Sequence, residues 1–217
     1  MRRWFLCGAL ALGVIFAGNA SAQAEPSLDQ FYGNKSLGGG NFRYDYFPGV
    51  AGRAESGNLY YLTKSKRSAD ADTWPLYYGV SLEFTSAHGH DYDFPTKGEA
   101  DFYAWWGLLW VQGRVYEQDI RRARPYFDFG GGLGSGEIAT MGPEDDESNL
   151  NWSALTVVRF KAGTGVELML SKGFALDLGV AVNETLGATA NIPRRANLNL
   201  VSGEFKIGVS RWQERSP

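Results

Sequence analysis

The sequence predicts an all-β chain, an eight-stranded antiparallel up-and-down barrel, and three observations carry that reading. Apolar residues recur with a period of two rather than 3.6 along most of the chain. Eight such segments follow one another with no sequence repeat or linker between them. The face opposite the apolar one is crowded with small residues, which suits the inside of a barrel only just wide enough for side chains.

The first 24 residues are set apart from this pattern. Met1-Arg2-Arg3 is a short cationic start, residues 5–17 are apolar, and Ala20-Ser21-Ala22 and Ala22-Gln23-Ala24 offer small-residue cleavage sites. These are the three parts of a secretory signal peptide, and the apolar run is too short to span a bilayer. The expected division is therefore a cleaved segment, 1–24, and one barrel domain, 25–217. Cleavage removes Cys7 together with Arg2 and Arg3, leaving an acidic chain without cysteine.

Among the strands, residues 73–85 alternate most cleanly. Trp74, Leu76, Tyr78, Val80, Leu82 and Phe84 lie on one face, with Gly79, Ser81 and Glu83 on the other. Residues 158–170 set Val158, Phe160, Val166 and Leu168 against Arg159, Lys161, Gly163, Gly165 and Glu167. Ser171-Lys172-Gly173 makes a tight turn into a strand with Leu176, Leu178, Val180 and Val182 on one face and Asp177, Gly179 and Ala181 on the other. Weaker segments supply the rest: 41–47, 58–64, 101–115, 124–134 and 197–212. In the last of these Leu198 and Leu200 are out of phase with Val201, Phe205 and Ile207, which predicts a bulge near Val201. Segment 101–115 is aromatic on both faces, so the facing of Trp105, Trp106 and Trp110 stays open.

Which face is wet decides between a soluble and a membrane barrel. A solvent-facing strand surface carries large hydrated residues, whereas the non-apolar face here holds Gly79, Ser81, Gly130, Gly132, Gly163, Gly165, Gly179 and Gly208. Small residues fit a crowded lumen, and the Leu, Val and Phe face then meets lipid: a transmembrane β-barrel. Loop lengths agree with a periplasmic N-terminus. The shortest connection, 171–173, falls on the periplasmic side, and the longest, 135–151, and also 86–99, fall outside. Trp74, Phe174 and Trp212 are then expected at the periplasmic rim, and Phe84 and Trp152 at the outer one.

With Arg124-Pro125-Tyr126-Phe127-Asp128-Phe129-Gly130-Gly131-Gly132-Leu133-Gly134 and Gly163-Thr164-Gly165-Val166-Glu167 before a hairpin, the chain resembles the small outer-membrane barrels of the OmpA-like type. Such proteins usually end on an aromatic residue, whereas here Trp212 is followed by five more residues. The resemblance implies the outer membrane of a Gram-negative bacterium. It also implies a structural or surface-interaction role, with lipid, lipopolysaccharide and host or extracellular ligands as partners. A narrow conduit for small ions or apolar molecules is the alternative. Residues 124–212 also look like the outer-membrane lipid A deacylases. That family carries a catalytic His and Ser two residues apart near the outer end of strand seven. The corresponding stretch here, 181–187, has neither, so the Ser-His mechanism lacks its base and no enzyme activity is expected.

Several residue groups are candidates for chemistry. Arg43, Asp45, Glu83, Asp128, Arg159, Lys161, Glu167, Asp177, Glu204 and Lys206 share the inward parity, four cations against six carboxylates. Charges removed from water must be paired to be tolerated, so a lumen ion-pair network is expected. Within it, Glu167 and Asp177 face each other across a hairpin, with Lys206 as the nearest cation in chain topology. His88, His90, Asp91 and Asp93, on the proposed second external loop, carry donors suited to a divalent transition metal. The acidic run Glu144-Asp145-Asp146-Glu147 and the pair Arg194-Arg195 offer loop contacts to cations and lipid phosphates. With 21 Lys+Arg against 24 Asp+Glu, nucleic acid is not an expected partner. No P-loop, no GxGxxG after a strand and no paired CxxC is present, so no cofactor is expected.

Overall fold

A computed structural model of the chain describes residues 36–65, 75–94, 98–117, 123–141, 152–171, 173–189 and 197–213. Eight strands follow in order: β1 Ser36–Phe47, β2 Gly52–Lys64, β3 Leu76–Phe94, β4 Gly98–Tyr116, β5 Ala123–Met141, β6 Trp152–Ser171, β7 Phe174–Thr189 and β8 Asn197–Gln213. Each is antiparallel to its neighbour in sequence, and β8 pairs with β1 to close the barrel. The expected signal peptide, residues 1–24, and Trp74, Lys172, residues 144–147 and Arg194-Arg195 lie outside the described residues.

The register fixes the tilt. Followed from Ser36 through Thr63, Tyr78, Gly113, Phe129, Ala162, Val182 and Gly203, the pairing returns to β1 at Tyr46, ten residues above its start. Closing eight strands with that stagger inclines them by about 40° to the axis, within the range of barrels whose interior is filled by side chains.

Side chains sort cleanly by parity. Phe42, Leu59, Leu82, Leu109, Phe129, Phe160, Val180 and Phe205 point outward and are exposed, forming an apolar belt around all eight strands. The charged residues of alternate parity point inward and are buried. A protein that exposes its apolar residues and buries its charges is built for lipid outside, and closure pairs each strand on both sides through the belt. This is the build of a small outer-membrane β-barrel.

The upper strands differ from the sequence expectation. Within 86–99 the described residues are strand: β3 runs on to Phe94 and β4 begins at Gly98. The outward residues Ser86, His88 and His90 of β3 lack apolar character because they stand above the belt, where lipid no longer selects it. Phe84 is consequently mid-strand rather than at the outer rim. The outward face of β5 likewise changes from Phe127, Phe129 and Leu133 to Ser135 and Glu137. No bulge lies near Val201, and the β7–β8 register is continuous there. Leu198 and Leu200 keep the inward parity because the upper lumen is itself apolar. The register shifts lie instead between Gly89 and Tyr92 and between Met169 and Ser171.

Trp212 also corrects the girdle expectation. It points inward, 4% exposed, and its indole N–H donates to Glu167 at 3.2 Å. Trp152 is outward and exposed, beyond the belt. Above the short β1–β2 turn β8 has lost its β1 partner, and Tyr92 reaches across the gap. Its hydroxyl accepts from the Asn199 N–H at 2.8 Å and donates to the Asn199 carbonyl at 3.3 Å.

Candidate functional site

The lumen has three layers, each dictated by inward parity. At the bottom, Leu37, Tyr60, Leu62, Tyr77, Tyr116, Tyr126 and Trp212 form an aromatic plug. At the top, Phe47, Phe94, Phe102, Leu108, Leu155 and Leu198 pack with Trp106 and Trp110 into an apolar layer. Strand β4 thereby resolves the tryptophans: Trp106 and Trp110 are inward at 1% and 0% exposure, and Trp105 is outward at 47%. Gly132 is required beside this layer, since a Cβ there would sit 2.8 Å from the Trp110 ring.

Between the two apolar layers lie the charges. Arg159 bridges Asp45 at 2.6 Å and Glu83 at 2.7 Å. Arg43 pairs with Glu83 and, at 3.6 Å, with Glu204. The Asn183 amide donates to Asp45 at 2.7 Å and Glu204 at 3.1 Å, and Ser202 donates to Asp45 at 2.9 Å. Lower down, Asp128 receives Lys206 at 2.7 Å, Arg114 at 3.5 Å and Lys161 at 3.8 Å. Arg114 further holds Glu167 at 2.7 Å and Asp177 at 3.1 Å. Tyr116 donates to Glu167 at 2.7 Å, and Tyr126 donates to Asp177.

All ten sequence-derived lumen residues are thus buried, in two ion-paired groups: Arg43, Asp45, Glu83, Arg159 and Glu204 in one, and Asp128, Lys161, Glu167, Asp177 and Lys206 in the other. Two cations escaped the sequence reading, Arg114 and Arg124, both buried. Arg124 stacks on Trp212 at 4.2 Å and on Tyr116 at 4.6 Å. With them the described lumen holds six cations and six carboxylates. The earlier surplus of carboxylates was itself the signal that two cations were missing. The expected partner of Glu167 and Asp177 is corrected as well: Arg114 lies between them, and Lys206 turns to Asp128.

The histidines occupy a different region. His88 and His90 lie on the outward face of β3 above the belt, with ring centroids 6.3 Å apart. His90 Nδ1 meets Asp101 Oδ2 at 2.9 Å, which holds the Asp101 carboxyl below the usual range. Asp91 takes a left-handed backbone, φ 54°, at the irregularity, and Asp93 lies exposed beyond it. Among the described residues no group of three or more His, Cys, Asp or Glu is spaced to hold a metal ion. On β7, the stretch 181–187 turns Asn183 and Thr185 inward and Glu184 outward.

No family model matches the chain, and no characterised protein matches its sequence. Among solved structures it is similar to Neisserial surface protein A, with 16% identity, 82% of this chain and 96% of that one covered, and a TM-score of 0.47. It is similar also to the outer membrane enzyme PagL, at 13% identity, coverage of 77% and 97%, and a TM-score of 0.41. A third is Ail, the attachment invasion locus protein of Yersinia pestis, at 10% identity, coverage of 83% and 99%, and a TM-score of 0.37.

Proposed function

We propose that this chain is a plugged outer-membrane barrel that acts through its external surface, as a structural or surface-interaction protein rather than as a conduit. The single observation behind this reading is the filled lumen. Below an apolar layer in which Trp106 and Trp110 are 1% and 0% exposed lie six buried cations and six buried carboxylates, which reach down into an aromatic plug where Arg124 stacks on Trp212 and Tyr116. An ion crossing this lumen would have to leave water and break several buried pairs, each costly to disrupt. What remains available to partners is the upper ends of β3–β6 and the external connections, including Glu144-Asp145-Asp146-Glu147 and Arg194-Arg195. Residues 1–24 serve as the export signal in this scheme, and residues 25–217 as the one barrel domain. The partners are outer-membrane lipid and lipopolysaccharide, with host or extracellular ligands reached through the loops.

The conduit reading has one observation of its own, the apolar inner lining towards the outer end. That lining is packed against itself, however, and Tyr92 ties it to β8. Refolded protein in planar bilayers tests the choice. Silence at all voltages is the expected result, and steady single-channel steps would overturn the plug. Deleting residues 143–150 is expected to abolish binding to cells or matrix while leaving the barrel folded.

A further inference from the structure

The apolar belt is not filled everywhere. On the outward face of β8, β1 and β2 a groove of about 280 Å³ runs between Phe42, Tyr44, Phe205 and Ile207, with Glu55 among its lining residues. Two glycines of the same outward face lie next to its lining residues, Gly57 two positions from Glu55 and Gly203 two positions from Phe205. Gly57 stands opposite Phe42 in the register and Gly203 opposite Tyr46, and a Cβ at either glycine would meet nothing within 4 Å. A concave apolar surface touches a hydrocarbon chain on several sides at once, so it gains more dispersion contacts than a convex belt does.

The chemistry changes above the groove. Arg53 lies two residues beyond Glu55 on the same face, exposed, and opposite both Tyr46 and His88 in the register. It makes no ion pair among the described residues. A cation standing just above an apolar groove at the edge of the belt matches an amphiphile with an anionic head. Glu55 lies below Arg53 and would repel a phosphate at its own level, so the head belongs above it, at Arg53 and the exposed Tyr46.

We propose that this groove seats one acyl chain of an outer-leaflet lipid whose phosphate is held by Arg53. The assignment rests on the outside of the barrel meeting lipid and not on any role of the loops. Its stoichiometry is one lipid for each chain, which distinguishes it from the general annulus around the belt.

Native mass spectrometry of the refolded protein, titrated in micelles with phosphorylated lipid A and with its phosphate-free form, tests the site. Four proteins are compared: wild type, the double variant Gly57→Leu/Gly203→Leu, Arg53→Ser, and Val111→Leu on the belt face of β4. Both glycine positions have room for a side chain, and heat-modifiable gel mobility confirms that each variant is folded. Wild type and Val111→Leu are expected to carry one phosphorylated lipid A. Filling the groove weakens binding about tenfold, and Arg53→Ser does the same for the phosphorylated form alone, a difference of about 1.4 kcal/mol. Equal occupancy of wild type and the double variant would overturn the groove, and equal affinity of wild type for both lipid forms would overturn the phosphate contact. Deletion of residues 143–150 leaves this occupancy unchanged, so a failure of the loop reading is told apart from a failure of this one.

Discussion

Glu167 and Asp177 stand directly opposite each other on β6 and β7, and the guanidinium of Arg114 lies between their carboxylates at 2.7 and 3.1 Å. Two buried carboxylates so placed repel unless a cation lies between them. Arginine suits the position, because its planar fork reaches both at once and also rests on the Tyr126 ring at 4.0 Å.

Replacing Arg114 by Ala therefore leaves two facing carboxylates without their shared cation, at a cost of about 3–5 kcal/mol. Lys206→Ala costs less, since Asp128 keeps Arg114 at 3.5 Å and Lys161 at 3.8 Å. Urea unfolding midpoints of the refolded proteins measure the difference. The expected order is wild type, Lys206→Ala, Arg114→Ala, and a midpoint for Arg114→Ala equal to wild type would contradict the shared-cation arrangement.

Why Arg114 escaped the sequence, when ten other lumen charges did not, is a matter of contrast. Parity is readable where one face is apolar and the other small or charged, as in β6 and β7. On β4 both faces are aromatic, because the upper lumen is as apolar as the lipid side. Arg124 shares the parity of Tyr126 and Asp128, and only its place at the strand end hid it. The strand extensions were unreadable for the converse reason. Above the belt the outward face meets water, so Ser86, His88 and His90 carry the composition of a loop while continuing the strand. The lipid groove left almost no trace in the sequence, since it depends on Gly57 and Gly203 being brought alongside β1 by the register.

The belt itself is open to test. Val180 lies midway between Phe174 and Leu186 on the outward face of β7 and is 54% exposed. Val180→Arg places a charge against hydrocarbon and is expected to cost about 2–4 kcal/mol, read as reduced folding yield in vesicles. Gly163, on the inward face of β6, fails for a different reason: a Cβ there would approach Ala181 Cβ and the Val180 carbonyl at 2.5 and 2.6 Å. Gly163→Val should therefore misfold in micelles and vesicles alike, whereas Val180→Arg is harmed by lipid in particular.

Orientation follows from strand parity. Asp145 falls in sequence between β5 and β6 and Lys172 between β6 and β7, so an up-and-down barrel is expected to present them on opposite sides of the membrane. An epitope tag inserted at Asp145 is expected to bind antibody on intact cells, and one at Lys172 only after the outer membrane is permeabilised. Equal labelling of both on intact cells would be incompatible with a closed eight-strand topology.

His88 reports on the upper rim, above the last apolar outward residue of β3. Partial burial and the neighbouring Arg53 both disfavour its imidazolium, so its pKa lies below the ordinary value. A base lowered on folding contributes nothing differential while it is neutral in both states. Stability is therefore lost only as pH falls from about 6.5 through the folded value. A histidine-selective NMR titration is expected to show the His88 midpoint below 6.5. Arg53→Ser raises that midpoint part of the way, because burial, the larger cause, remains. Bound phosphorylated lipid A raises it too, by placing an anion beside Arg53. A His88 midpoint indifferent to Arg53→Ser would show that the guanidinium does not face the imidazole, and that the rim is not arranged as the β2–β3 register places it.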